Sequence, residues 1–158
     1  MSTKRVCSYC FLFFSVIILF YGCDRSVVFE KNKKMPEMKW HFEDKMSFEA
    51  EINDTTELHN IYINVRNSVD YKYMNLYMFL DTEFPDGRIV RDTLECLLAD
   101  NRGEWTGKGF GKIRSNQFLM RDNVWFPVKG TYTFSFEQAM REEVLEGISD
   151  IGLRIEKN

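Results

Sequence analysis

Histidine, alanine and basic charge are all scarce in this 158-residue chain. Two histidines leave no material for a His-rich metal centre; neither His41 nor His59 comes with a nucleophile-elbow motif, and both are expected on strand surfaces. Only three alanines occur, at positions 50, 99 and 139, so strong helix formers are thin on the ground. Lys and Arg number 21 against 24 Asp and Glu. That balance provides no surplus to neutralise nucleic acid phosphates, and no nucleic acid partner is expected. No D-x-D-x-D-G run is present, so the acids around Asp81, Asp86, Asp92 and Asp100 are expected to be solvated loop residues rather than calcium ligands. Beyond Cys23 there is one cysteine, Cys96, which excludes a disulfide framework. Cys96 alternates with Leu94 and Leu98 and reads as a buried, inert thiol.

What the chain does have is one long apolar run at its start. Lys4 and Arg5 precede a stretch from Val6 to Gly22 without a single charge. A short positive n-region before an apolar core of this length is a secretory pattern, slightly short of the roughly 20 residues a bilayer span needs. An ordinary cleavage site wants small residues in an Ala-x-Ala-like pattern, and the first alanine is Ala50. The run ends instead in Leu19-Phe-Tyr-Gly-Cys23. A small residue directly before a cysteine resembles a bacterial lipoprotein signal, with Cys23 as the acylated terminus; an uncleaved anchor is the competing reading. Phe20 and Tyr21 are bulkier than that pattern usually carries. With residues 1–22 removed, 19 basic residues face 24 acidic ones, a formal charge of −5. Residues 23–45, broken by Pro36, read as a lipidated terminus and solvated tether with a possible first strand around Val27-Val-Phe29.

From Met46 the dominant period is two. Met46, Phe48, Ala50 and Ile52 share one face, and Ile61, Ile63 and Val65 follow suit. Tyr71 to Leu80 gives an aromatic-rich strand, Arg88 to Ala99 one or two more, and Asp86-Gly87 between them is a hairpin signal. Tyr132, Phe134 and Phe136 alternate with threonine and serine, and Ile151, Leu153 and Ile155 close the chain. Gln138 to Glu146 fits a helix or a bulged strand entering a turn equally well. Seven to eight short strands predict an all-β antiparallel two-sheet sandwich over residues 46–158, Ig-like or jelly-roll-like.

Gly103-Glu-Trp-Thr-Gly-Lys-Gly-Phe-Gly-Lys112 superficially suggests a phosphate cradle. Such a cradle must lead from a strand into a helix N-terminus, and Ile113 to Gln117 has no helical period. The glycines read better as positions that let a strand bulge, or that let Trp105 or another backbone lie close across it. Trp105, Lys108 and Trp125 are the candidates for a ligand or partner contact. Trp40, Tyr71, Tyr73 and Tyr77 join the two tryptophans as possible sugar-stacking platforms, which keeps a carbohydrate-binding module as the alternative function. No pair of carboxylates can be placed in one cleft from sequence, so no catalytic residue is assigned.

Several segments taken in order carry a family likeness. They are Cys23, Trp40, Ile61-Tyr-Ile-Asn-Val-Arg-Asn67, Tyr73-Met-Asn-Leu-Tyr77, Asp92-Thr-Leu94, Leu98-Ala-Asp100, Trp105-Thr-Gly-Lys-Gly-Phe-Gly111, Gln138-Ala-Met-Arg141 and Gly147-Ile-Ser-Asp-Ile-Gly-Leu-Arg154. The series resembles the gliding motility lipoprotein GldH family of Bacteroidetes, with Lys112 standing where that pattern has an acidic residue. The resemblance implies a non-enzymatic lipoprotein of the cell envelope that assists the movement of surface adhesins. Expected partners are the membrane, through the lipid on Cys23, and other envelope or motility proteins. No cofactor, metal or small-molecule ligand is expected. The expected location is the outer membrane, facing the periplasm.

Overall fold

The described part of the chain folds back on itself at the Asp86-Gly87 turn. Gly87 takes φ +81°, Gly87 N–H donates to the Phe84 carbonyl at 2.9 Å, and Phe84 N–H to that of Arg88 at 2.8 Å. The computed structural model describes residues 26–158. Cys23 and the expected signal peptide lie outside them. Among the described residues there are ten strands: β1 Val27–Lys34, β2 Lys39–His41, β3 Met46–Ile52, β4 Leu58–Ser68, β5 Asn75–Glu83, β6 Ile89–Leu97, β7 Ile113–Trp125, β8 Gly130–Gln138, β9 Val144–Glu146 and β10 Ile148–Lys157. Moving outward from the Asp86-Gly87 turn, β5 pairs with β6, β4 with β7, β3 with β8, β2 with β9 and β1 with β10, all antiparallel. The described chain is therefore one long hairpin of five strand pairs. Two further pairings, β10 with β4 and β8 with β5, roll that hairpin into two four-stranded sheets, β1-β10-β4-β7 and β3-β8-β5-β6. This is the jelly-roll order, the second of the two expected sandwich types.

Alternation decides which faces meet. Ile61, Ile63, Val65, Ile151, Leu153 and Ile155 from one sheet close on Phe48, Leu76, Met78, Leu80, Tyr132, Phe134 and Phe136 from the other, all buried in one cluster. Leu94, near the edge, is only half-buried against it. Cys96 is buried in the same core, and burial pushes its thiol up to about 12, so the thiolate is not populated near neutral pH.

Three segments differ from expectation. The solvated tether expected beyond the possible first strand is folded: β1 extends through Lys34, Met35 is buried, and Trp40 is fully buried in β2 with its indole Nε1–H donating to the Asp44 carbonyl at 2.8 Å. Pro36 only opens a single 3₁₀ turn, Pro36–Met38, between β1 and β2. Gln138 to Glu146 forms no helix. The buried Gln138 amide accepts from Met140 N–H at 2.8 Å and donates to the Glu142 carbonyl at 2.7 Å, bridging the turn in place of helical backbone bonds. The longest strand, β7, has no expected counterpart. It is an edge strand with bulges opposite β4, and Phe118-Leu119-Met120 blurs its period.

His59 was expected on a strand surface and is instead buried, edge-on to Phe126 with ring centroids 5.2 Å apart. Burial, reinforced by the nearby Lys157, holds its imidazole below the ordinary 6.5, while Asp54 acts in the opposite sense. The unfolded chain thus takes up a proton there before the folded one does. This contribution is fully present above about pH 6.5 and is lost as pH falls through the folded value. Denaturant titrations between about pH 7.5 and about pH 5 should show falling stability. His59→Phe should flatten that slope, and an unchanged slope would rule out His59 as its source.

Candidate functional site

The strand directions give the molecule two ends. At one end lie the first described residues, the C-terminus and the turns after β3, β5 and β7. Lys157 N–H donates to the Ser26 carbonyl at 2.8 Å, Asn158 N–H to that of Leu58 at 2.9 Å, and the Trp125 indole to that of Thr55 at 2.7 Å. At the other end Met35 N–H donates to the Ser149 carbonyl, Val69 N–H to that of Lys112 and Gly147 N–H to that of Met38, each at 2.8 Å. The glycine-rich segment belongs to this second end.

That segment is not a phosphate cradle, because β7 rather than a helix follows it. Trp105 bridges Ala99, and Lys108 pairs with Ser115 at the start of β7. Thr106 Oγ1 donates to Asn116 Oδ1 at 3.1 Å, Asn116 Nδ2 to Asn67 Oδ1 at 3.2 Å, and Asn67 Nδ2 to the Ser68 carbonyl at 3.0 Å. This partly buried amide chain rivets the loop to β4 and β7. Gly107 fits against it because it has no Cβ, which would stand 2.6 Å from the Asn116 amide nitrogen. At Gly109 φ is +148° and a Cβ would meet the Ile113 carbonyl oxygen at 2.5 Å, so no side chain is tolerated. The glycines are structural, and their outcome is to present Phe110 fully exposed at the tip. Lys108 and Lys112 flank it, both exposed, and make no ion pair among the described residues. Leu97 and Met74 add exposed apolar surface at the same end, with Leu98 N–H donating to the Met74 carbonyl at 2.7 Å.

The three residues singled out from sequence are not brought together. Trp105 is half-buried against the core and Lys108 is exposed beside it. Trp125 lies ten residues further along β7 than Ser115, roughly 33 Å away at strand rise. The aromatics kept as possible sugar-stacking platforms share no surface either: Trp40 and Tyr71 are buried, Tyr77 is exposed on β5, and Trp125 stands at the opposite end. Phe110 was not singled out, although an aromatic bracketed by glycines and lysines was a readable signal.

Between the edge strands β6 and β7 the sandwich is open along a cleft of about 580 Å³, with Val90, Met120 and Trp125 on its walls and Phe126 and Phe134 among its lining. Arg121 reaches Asp92 within it at 2.6 Å, so that carboxylate is held as an ion pair. On the outer face of the β3-β8-β5-β6 sheet, Asp81 and Glu137 lie close together, but Arg91 and Lys45 each pair with both. Arg91 accordingly holds the Asp81 carboxyl below the ordinary carboxylate range. Both are acceptors committed to cations on an open face, not an acid and a base across a cleft. The other outer face is a polar lattice. Asn64 Nδ2 donates to Asn32 Oδ1 at 3.3 Å, Gln117 Nε2 to Asn64 Oδ1 at 3.0 Å, and Arg154 pairs with Glu30 at 2.6 Å and Glu156 at 2.9 Å. No cluster of three or more metal-ligating side chains occurs among the described residues, and no helix among them is long and apolar enough to cross a membrane.

Residues 27–155, nearly the whole described body, match the model of the GldH lipoprotein family. A gliding motility lipoprotein GldH homolog of Christiangramia forsetii is 38% identical over 155 residues, covering 94% of each chain. The gliding motility lipoprotein GldH of Flavobacterium johnsoniae is 34% identical over 147 residues, 89% of this chain and 91% of that one.

Proposed function

Since this chain belongs to the GldH lipoprotein family, we propose that it is a non-catalytic accessory component of the gliding motility machinery that works through protein–protein contacts. In this reading a lipid on Cys23 ties it to the outer membrane, with the body in the periplasm. The observation that carries the contact role is the Phe110 tip. A fully exposed phenylalanine on a loop riveted at its base lies at the end of the molecule away from the first described residues. An aromatic held out in this way is suited to filling an apolar pocket on a partner, with Lys108 and Lys112 meeting an acidic rim. The paired carboxylates at Asp81 and Glu137, and the family's names, support reading the chain as a binding protein rather than an enzyme.

A photo-crosslinking residue at position 110 is expected to capture an envelope protein in intact native cells. The same residue at Leu119, exposed on the polar sheet face, should not. Equal capture at both positions, or none at either, overturns the tip contact. Deletion of the gene in a gliding host should stop surface-adhesin movement, and unchanged movement counts against the motility role.

A further inference from the structure

The end of the jelly roll that carries the N-terminal strand has its own exposed apolar group: Leu58, Trp125 and Val128, none of them in the core. Leu58 and Trp125 are cross-strand partners, and Val128 lies in the turn that follows β7. We infer that this end rests on the lipid headgroup layer, with Trp125 as its interfacial anchor. The inference rests on the reading of Cys23 as the lipidated residue.

Chain length supplies the first argument. Four residue steps separate Cys23 from Val27, where β1 begins. Fully extended, they span at most about 14 Å. Lipid on Cys23 therefore keeps the start of β1 within that distance of the bilayer surface. Trp125 ends β7, three strand positions across the same sheet from β1. At about 4.8 Å per strand it is displaced sideways by roughly 15 Å, not upward.

The second argument concerns the alternatives open to a body tethered at one corner. Lying on either sheet would press the Glu30–Arg154–Glu156 lattice or the Asp81–Arg91–Glu137–Lys45 group against lipid. Both faces are charged and already paired, so desolvating them is costly. Standing on the Trp125 end instead buries apolar surface. An indole with its N–H already bonded to the Thr55 carbonyl offers a ring to the headgroup region without stranding a donor. Of the charged groups at this end, Lys157 is paired to Asp54 at 3.2 Å, and the exposed acids Glu57, Asp86 and Asp122 outnumber the exposed bases Arg88 and Lys129. The contact is thus apolar, and anionic lipid gives it no added attraction. It also holds the Phe110 end away from the membrane.

The three tryptophans make the test selective. Trp40 is buried at the far end, Trp105 is half-buried there, and Trp125 is exposed at the near end. Full-length processed protein would be reconstituted into phosphatidylethanolamine vesicles whose acyl chains are brominated near the glycerol. Tryptophan emission is expected to be quenched in the wild type and in Trp105→Phe, with the quenching lost in Trp125→Phe. Its extent should not increase when phosphatidylglycerol is added. Protein that floats with the vesicles but shows no quenching, or quenching that survives Trp125→Phe, overturns the membrane-facing assignment alone. Protein that neither floats nor carries lipid mass on Cys23 overturns this inference together with the anchor reading.

Discussion

Serine at position 23 is expected to abolish lipid attachment and leave a precursor that still carries residues 1–22. Diacylglycerol transfer needs a sulfur nucleophile, and a serine hydroxyl with no base beside it is a far weaker one. The effect should be all-or-none, because cleavage follows acylation in the lipoprotein pattern that Gly22-Cys23 resembles. Each buried CH₂ of an acyl chain contributes about 0.8 kcal/mol, so loss of a two-chain lipid removes a firm anchor rather than trimming it. The precursor keeps the uncleaved apolar run Val6–Gly22 in place of the lipid, and charge adds no further hold, since residues 23–158 carry a formal charge of −5. Mass spectrometry of the wild type should show a chain beginning at Cys23 with added lipid mass, and of Cys23→Ser an unmodified, longer chain. Mature-sized protein from the variant would overturn the assignment.

Trp40→Ala should lower the unfolding free energy by about 3–5 kcal/mol, the range for emptying a buried aromatic site. Trp40 is fully buried, sits in the short pair β2·β9, and donates its indole N–H to the Asp44 carbonyl. Two costs therefore combine: a cavity in the core cluster and a carbonyl that loses its donor. Against a typical domain stability of about 5–15 kcal/mol the loss is large. Guanidinium unfolding should show a lower midpoint with a similar slope. A change below about 1 kcal/mol would mean that residues 35–45 are the loose connector their composition suggests, and not part of the core.

These two predictions sit on opposite sides of what could be read directly. Cys23 needs only its neighbours in the chain, an uncharged run and a glycine before it. Trp40 could not be placed from its neighbours, because Lys, Pro, Glu and Asp surround it and no period marks an inward face. Its burial is decided by Val144-Leu145-Glu146, more than a hundred positions away, which pairs with it across β2·β9. The same holds for His59. Its place on the inner face follows from continuing the Ile61-Ile63-Val65 alternation one step back, but a polar ring at a strand end reads as surface until Phe126 is seen against it. For β7, bulges and three consecutive apolar residues erased the period-two signal, although the strand is the longest in the molecule.

The chain order of its residues was enough to determine the strand class, the inner faces of β3, β4, β8 and β10, the hairpin at Asp86-Gly87 and the structural role of the glycine run. Each of these is local, set by side-chain alternation or by the φ values a turn allows. Only the tertiary structure decided that the hairpin rolls into a jelly roll, that Trp105 and Lys108 lie at one end and Trp125 at the other, and that Phe110 stands fully exposed. Those outcomes depend on which strands meet across the sheets, and pairing between distant segments is settled by the fit of whole faces rather than by any short stretch of sequence.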